Sequence, residues 1–322
     1  MTLTLRRATP ADRAGILELL AVSLGREADP RYDALFAWKH EENAFGPSPA
    51  WVATDGERLA GFRVLMRWEF VRPAGEVVRA VRAVDTATHP DFQGQGIFTK
   101  LTLQAIDELR DDVAFVFNTP NGQSRPGYLK MGWEVVGRLP TAVRPIGLTG
   151  IPRIATARVP AERWSSPSDA GEAAVDVLRD VPALERLVAS LPAPTGMRTN
   201  LSAAFLQWRY RTPLLAYRAV VAPGGLDDGV AIFRIRARGS AREAALGAVI
   251  ARGGDRRISA HLTRAVARAA DADYVIRLGG GLVTPGGMVR LPGQGPLLTW
   301  RAVGESSPPE HWDLSLGDIE LF

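Results

Sequence analysis

The 322-residue chain contains no cysteine, which excludes disulfides, thiolate nucleophiles and Cys-ligated zinc. Its four histidines, His40, His89, His261 and His311, show no ligand spacing, so no metal is expected. Lysine is confined to Lys39, Lys100 and Lys130, and every other basic residue is arginine. No stretch approaches the roughly 18 to 20 consecutive apolar residues that cross a bilayer. The opening MTLTLRRATPADR lacks the apolar core of a signal peptide, and a cytoplasmic protein with no membrane association is expected. The net charge of +4 is too small to imply nucleic acid, which is not expected as a partner. Acidic and basic residues balance in the first 150 positions, so the whole basic excess lies in the second half. What is present, 46% hydrophobic and 23% charged residues, is ordinary for a globular chain, and the length suits two domains.

Local signals give the order of elements. Thr4 to Arg7 reads as a strand, and Thr9-Pro10-Ala11-Asp12 as a helix start with a capping Thr, a first-turn Pro and an acidic N3 residue. A second helix is predicted over Tyr32 to Asn43, then strand-like Trp51 to Thr54 and Leu59 to Trp68 around an Asp55-Gly56 hairpin turn. Phe70 to Val71 and Val77 to Thr88 read as a second hairpin. A helix from Ile97 to Leu109, a strand from Val113 to Asn118, a short helix ending near Met131-Gly132 and a strand from Trp133 to Arg138 complete the first half. Residues 1–145 are thus expected to form one domain and 146–180 a linker poor in periodicity. Residues 181–322 form a second domain, whose last strand is Leu297 to Val303. The second half repeats the order of the first, which suggests a diverged duplication. The expected class is α/β, a mixed sheet flanked by helices in each of two units.

The segment from Val84 to Phe98 runs from a strand through a glycine turn, Gln93-Gly94-Gln95-Gly96, into a helix beginning at Ile97. Glycines let backbone amides approach a phosphate, and a helix N-terminus adds free N–H groups and its dipole. Gly293-Gln294-Gly295 has the same spacing but runs into Pro296 rather than a helix, so only the first turn is a cradle candidate.

Gln93, Gly94, Gly96 and Ile97 resemble the acyl-CoA signature of the GCN5-related N-acetyltransferase (GNAT) family, with Phe98 at a position where the family has Gly or Ala. Downstream, Asn121, Tyr128 and Gly132 match the family's Asn, small residue, Tyr and Gly-aromatic pattern, with Ser124 where Ala is usual. The resemblance covers about residues 1–140 and implies a tandem arrangement of two GNAT-like domains, the second without a cradle. It implies acetyl-CoA or another acyl-CoA as donor and a small-molecule primary amine as acceptor. Thr86, Ala87, Thr88, Gln93, Gly94, Gln95, Gly96, Ile97, Phe98, Asn118 and Asn121 would hold the donor. Tyr128 would protonate the leaving sulfur, a phenol being suited to a thiolate of similar basicity. Asp85, just before the acyl site, would accept the amine proton, with Glu41, Glu42 and Glu69 as alternatives.

Two competing functions stand beside this one. An aminoacyl-tRNA-dependent transferase of the same tandem type is prompted by the arginines of the second half. Arg234, Arg236 and Arg238 alternate with Phe233, Ile235 and Ala237 on one strand face, which reads as a solvated face or a polyanion patch. The intact Gln93 to Gly96 turn argues against that function. A non-catalytic acyl-CoA-binding protein is prompted by Phe98.

Overall fold

The computed structural model describes residues 3–25, 29–148, 150–157, 159–279, 283–284, 286–304 and 307–320. The first half contains β1 (Thr4–Arg7), α1 (Arg13–Leu24), α2 (Arg31–Phe36), β2 (Ala50–Asp55), β3 (Arg58–Val71), β4 (Val77–Thr88), α3 (Ile97–Glu108), β5 (Phe115–Asn118), α4 (Arg125–Lys130) and β6 (Glu134–Arg138). There follow β7 (Thr141–Pro145), α5 (Gly150–Thr156), β8 (Glu172–Ala173), α6 (Ala174–Val177), α7 (Val181–Ala189), β9 (Met197–Thr199), α8 (Ala203–Tyr210) and β10 (Arg218–Val221). The chain continues with β11 (Gly229–Arg238), β12 (Ala241–Ala251), α9 (Arg256–Ala269), β13 (Tyr274–Leu278), β14 (Val283–Thr284), β15 (Met288–Leu291), β16 (Leu297–Ala302), β17 (Trp312–Asp313) and α10 (Leu316–Ile319).

Two compact units result. The first comprises residues 1–70, 76–137 and 297–310, and the second 71–75, 138–296 and 311–322. The sheet of the first unit runs β1-β2-β3-β4-β5-β16-β6, and that of the second β14-β15-β7-β13-β12-β11-β10-β8. Both are mixed sheets flanked by helices, as the element order implied.

The division differs from the one read along the sequence, because each sheet takes a strand from the other half of the chain. Strand β16, expected at the end of the second domain, pairs antiparallel with β5, Thr299 opposite Asn118 and Ala302 opposite Phe115. Residues 141–145, placed at the tail of the first domain with no strand expected there, form β7, which pairs antiparallel with β13 and β15. Neighbours along the chain are neighbours in a sheet only about two-thirds of the time, and composition does not mark the exceptions. The stretch 146–180 likewise holds α5, β8 and α6 rather than serving only as a linker.

Apolar spacing explains the layers. On one face of the first sheet α3 buries Ile97, Leu101, Ala105 and Ile106 against Trp51, Leu65, Val81 and Val116. On the other, α1 places Ile16, Leu19 and Leu20 against Val52, Phe62 and Val64. In the second unit α9 buries Leu262, Val266 and Ala267 against Phe233, Ile235 and Leu246, with Arg256, Arg257, Arg264 and Arg268 exposed on its outer face.

The alternating arginines of β11 do share a face, but it is an interior one. Arg234 is 0% and Arg236 7% exposed. Arg234 donates to Glu320, Arg236 pairs with Glu243 and Glu320, and Arg238 pairs with Glu243. Charges taken out of water need such partners, and guanidinium groups so occupied are neither a solvated face nor a polyanion patch. The aromatics of α8, Phe205 and Tyr210, are buried packing residues.

Candidate active site

Strands β4 and β5 are parallel neighbours over one short stretch, Ala80 opposite Phe115, Val81 opposite Val116 and Arg82 opposite Phe117. Strand β4 then runs on through Ala83–Thr88 without that partner, so the sheet opens a slot at the carboxyl ends of its parallel strands. Ligands of open α/β sheets bind at such openings. Asp85 has φ +33°, an unusual backbone for a non-glycine residue that interrupts the alternation of the strand at the mouth of the slot. Asp tolerates that conformation better than most side chains.

The turn after β4 delivers the cradle. Gly94 (φ +78°) and Gly96 (φ +72°) occupy the left-handed region that favours glycine, and a Cβ added at either would meet nothing within 4 Å. Gly96 caps α3 without any side-chain hydrogen bond, so no capping side chain occupies the first turn at Ile97 and Phe98. Phe98 does not fill the space beside the glycines. Its ring stands edge-on to Tyr128 with centroids 5.3 Å apart, and a Cβ on Gly127 would lie 2.9 Å from its Cε1. The bulk at this position is thus directed onto α4, and Gly127 makes room for it. The residues present fit a pyrophosphate-bearing group: open space at both glycines, no competing cap and no side chain in the way.

The second motif lies on α4. Tyr128 is 3% exposed between Phe98 and Trp133, and its hydroxyl accepts a 2.9 Å hydrogen bond from Arg63 Nη1. Arg63, on β3, is fully buried, with Nε and Nη2 lacking hydrogen-bond partners and the guanidinium over the Tyr128 and Phe98 rings. Asn121 Oδ1 accepts from the amides of Gln123 and Ser124 and from the Ser124 hydroxyl, which starts the turn into α4. Asn118 is buried, and its Oδ1 accepts from Thr299 Oγ1 at 2.6 Å, so this side chain anchors β16. Thr86 Oγ1 donates to the Phe62 carbonyl, and the Thr88 carbonyl accepts from Ser23. The hydroxyl of Thr86 and the carbonyl of Thr88 are thus each already engaged within the fold.

The carboxylate of Asp85 is the residue whose setting differs most from the sequence reading. Its Oδ2 accepts from Lys39 Nζ at 2.6 Å and from His40 Nε2 at 3.0 Å, and His40 Nδ1 lies 3.1 Å from Ser48 Oγ. Burial alone would raise the Asp85 pKa, but the adjacent Lys39 charge and the His40 hydrogen bond outweigh it and hold the carboxyl well below the usual range. For His40 burial dominates and lowers its pKa, leaving a neutral ring whose Nε2–H donates to Asp85 and whose Nδ1 accepts from Ser48. A carboxylate so strongly stabilised is a poor proton acceptor. Of the alternatives, Glu41 pairs with Arg13 at the surface, and Glu42 is exposed.

Lys39 and His40 carry no role in the sequence reading. They sit where α2 loosens into a wider turn, the Glu42 amide bonding the Ala37 carbonyl, and Trp38, Lys39 and His40 are all buried there. A signal for them exists: Trp38-Lys39-His40 is echoed by Trp208-Arg209-Tyr210 in the second half, each at the end of a helix ahead of a strand pair, and Arg209 is also fully buried.

Residues 4–136 match the family model described as an acetyltransferase (GNAT) domain. This part of the chain is a GNAT domain. Among solved structures, the chain resembles a GCN5-related N-acetyltransferase from Anabaena variabilis, with a TM-score of 0.64 and 14% identity over 94% of this chain and 73% of that one. It also resembles Eis1 from Mycobacterium abscessus, with a TM-score of 0.58 and 13% identity over 94% of this chain and 74% of that one. A third, a GCN5-related N-acetyltransferase from Kribbella flavida, gives a TM-score of 0.57 and 13% identity over 94% and 71%. At such identities the likeness is one of fold, and its span across both units agrees with two GNAT-like units in tandem. A search of curated proteins gives no match. Among the described residues of the GNAT domain and the rest of the chain, no helix is long and apolar enough to cross a membrane, and no cluster of three or more His, Asp or Glu is arranged to hold a metal.

Proposed function

We propose that the GNAT domain is an acyl-CoA-dependent N-acyltransferase, with acetyl-CoA as donor and a small primary amine as acceptor. The observation that carries this reading is the uncapped N-terminus of α3 behind Gly94 and Gly96, set directly after the opening between β4 and β5. The donor, when bound, supplies an acyl group activated as a thioester. The backbone amides of Gly94 to Phe98 would hold its pyrophosphate, with Gln93 and Gln95 exposed beside them, and the unpaired edge of β4 at Thr86, Ala87 and Thr88 would offer backbone hydrogen bonds to its acyl arm.

Tyr128 is the proton donor to the departing sulfur. Its oxygen accepts the Arg63 N–H, so its own proton is left to donate elsewhere, and Arg63 is a positioning residue that fixes the direction of that O–H. Asp85 anchors Lys39 and His40 at the mouth of the slot and holds the strand in its unusual turn. The interior placement of the β11 arginines removes part of what favoured a tRNA donor, while those of α9 stay exposed.

Thermal-shift titration with acetyl-CoA, longer acyl-CoAs and free CoA tests this. Ligand at about a hundred times its Kd stabilises the folded state by roughly 2.7 kcal/mol. The expected result is a shift in the wild type that is lost in Gly96→Asp, which puts a carboxylate and a strained φ into the cradle. No shift with any CoA species overturns the reading.

A further inference from the structure

The second unit repeats the opening of the first. Strands β12 and β13 are parallel neighbours over Glu243 opposite Tyr274 to Ala245 opposite Ile276, and β12 then runs on through Leu246–Ala251 toward α9 without β13, paired only with β11. Here the helix is closed: Asp255 caps α9, its carboxylate accepting from the amides of Arg257 (2.6 Å) and Ile258 (3.2 Å). A phosphate would have to displace that carboxylate, so the opening is not a nucleotide cradle.

It is nonetheless a cavity, of about 350 Å³, within the range of small-molecule pockets. Its apolar wall includes Phe205, Leu206 and Ile250, and Arg198 and Arg277 line it from β9 and the end of β13. Among the described residues neither guanidinium forms an ion pair. Arg198 Nε is buried without a hydrogen-bond partner, and among the described residues Arg277 donates from Nε to the Leu278 carbonyl. Asp313, also in the lining, acts on Arg277 electrostatically without contacting it, while burial pulls the Arg277 guanidinium below its usual range. The other lining carboxyl, Asp318, is already bonded by Thr199 and Ser315, and burial pushes it toward its neutral form. Two arginines held beside an apolar wall without an ion pair among the described residues are a poor arrangement to bury without a counter-ion.

We propose that this cavity binds a small organic monoanion, a carboxylate on an apolar body, with Arg277 and Arg198 taking the carboxylate. The proposal is independent of the acyltransferase reading, because no residue of the α3 cradle lines the cavity.

Isothermal titration of the full chain with hexanoate and benzoate tests it, against hexanol, benzyl alcohol and inorganic phosphate. The expected result is saturable binding of the two carboxylates, unchanged in Gly96→Asp and weakened roughly ten- to a hundred-fold in Arg277→Met, the range for losing one hydrogen bond to a charged group. Should Arg277→Met fail to fold, Arg198→Met and the methyl resonance of Ile250 in the wild type, expected to move on titration, give the same reading. Alcohols binding as tightly as the acids, phosphate binding alone, an unmoved Ile250 resonance, or no binding at all each overturn it.

Discussion

Replacing Lys39 by Met is the most informative perturbation of the GNAT domain, because it removes one member of a buried network and leaves the other exposed to its consequences. Lys39 and Asp85 are 2.6 Å apart with side chains 2% and 11% exposed. Breaking such a pair from one side leaves an uncompensated charge and costs about 3–5 kcal/mol, whereas removing both partners is often close to neutral. Lys39→Met and Asp85→Asn are each expected to fall in that range, and the double variant to recover most of the loss, so the coupling energy should be about 2 kcal/mol or more. Asn is the right replacement at 85, since it tolerates the positive φ and can still accept from His40.

The pH dependence carries a sign. In the wild type the folded carboxyl of Asp85 titrates well below its unfolded range, so its contribution is complete above roughly pH 4, the unfolded value, and is lost only as pH falls toward the folded one. Without the Lys39 charge, desolvation dominates, the folded pKa of Asp85 rises, and the penalty of the variant shrinks as pH falls. His40 adds to the same trend, because Lys39 is one of the influences that keep it neutral. Urea unfolding followed by tryptophan fluorescence at neutral pH and near pH 5 should therefore show the gap between wild type and Lys39→Met narrowing at the lower pH. Single effects that add to within about 0.5 kcal/mol, or a gap that widens on acidification, would refute the network as described.

Tyr128→Phe is expected to lower acyl-transfer turnover by roughly 10² or more while leaving the acyl-CoA thermal shift in place, and loss of that shift would make Tyr128 a packing residue instead. Arg63→Met should lower kcat without changing donor affinity, and Arg63→Lys should restore part of it; since two Arg63 nitrogens already lack partners, stability should hold, as a urea midpoint will show. A fragment ending at residue 140 lacks β16, which bridges β5 and β6 in the first sheet, and should not unfold cooperatively, whereas the same fragment with residues 297–304 joined by a flexible linker should.

Local grammar was readable where each element carries its own signal. The capped start at Thr9, the Asp55-Gly56 turn, the glycine turn into α3 and the apolar faces of α1 and α9 all follow from spacing over a few residues. What was not readable depends on partners distant in the chain. The exchange of β7 and β16 turns on which sheet edge each strand meets. The β11 arginines look solvated until Glu243 and Glu320 are brought to them, one on the next strand and the other near the end of the chain. Asp85 shows the same limit within the candidate site: its position before the slot is legible, but Lys39 and His40, which decide whether it can take a proton, approach from the wider turn that follows α2. Phe98 departs from the family pattern, and only Gly127 on α4 explains why the departure leaves the cradle open.

Set side by side, the two units separate what the fold provides from what the chemistry requires. Both open a slot where two parallel strands part after a short shared stretch, and in both a helix returns across the sheet between those strands. The difference lies in the turn that enters the helix. In the first unit two glycines and no capping side chain leave the amides available; in the second a carboxylate, Asp255, has taken them. A cap of this kind is worth about 1 kcal/mol of stability. The first unit has Gly96 at that place in α3, and since a glycine cap gives up only a few tenths of a kcal/mol against a capping side chain, keeping the amides free of a side-chain cap costs the fold little.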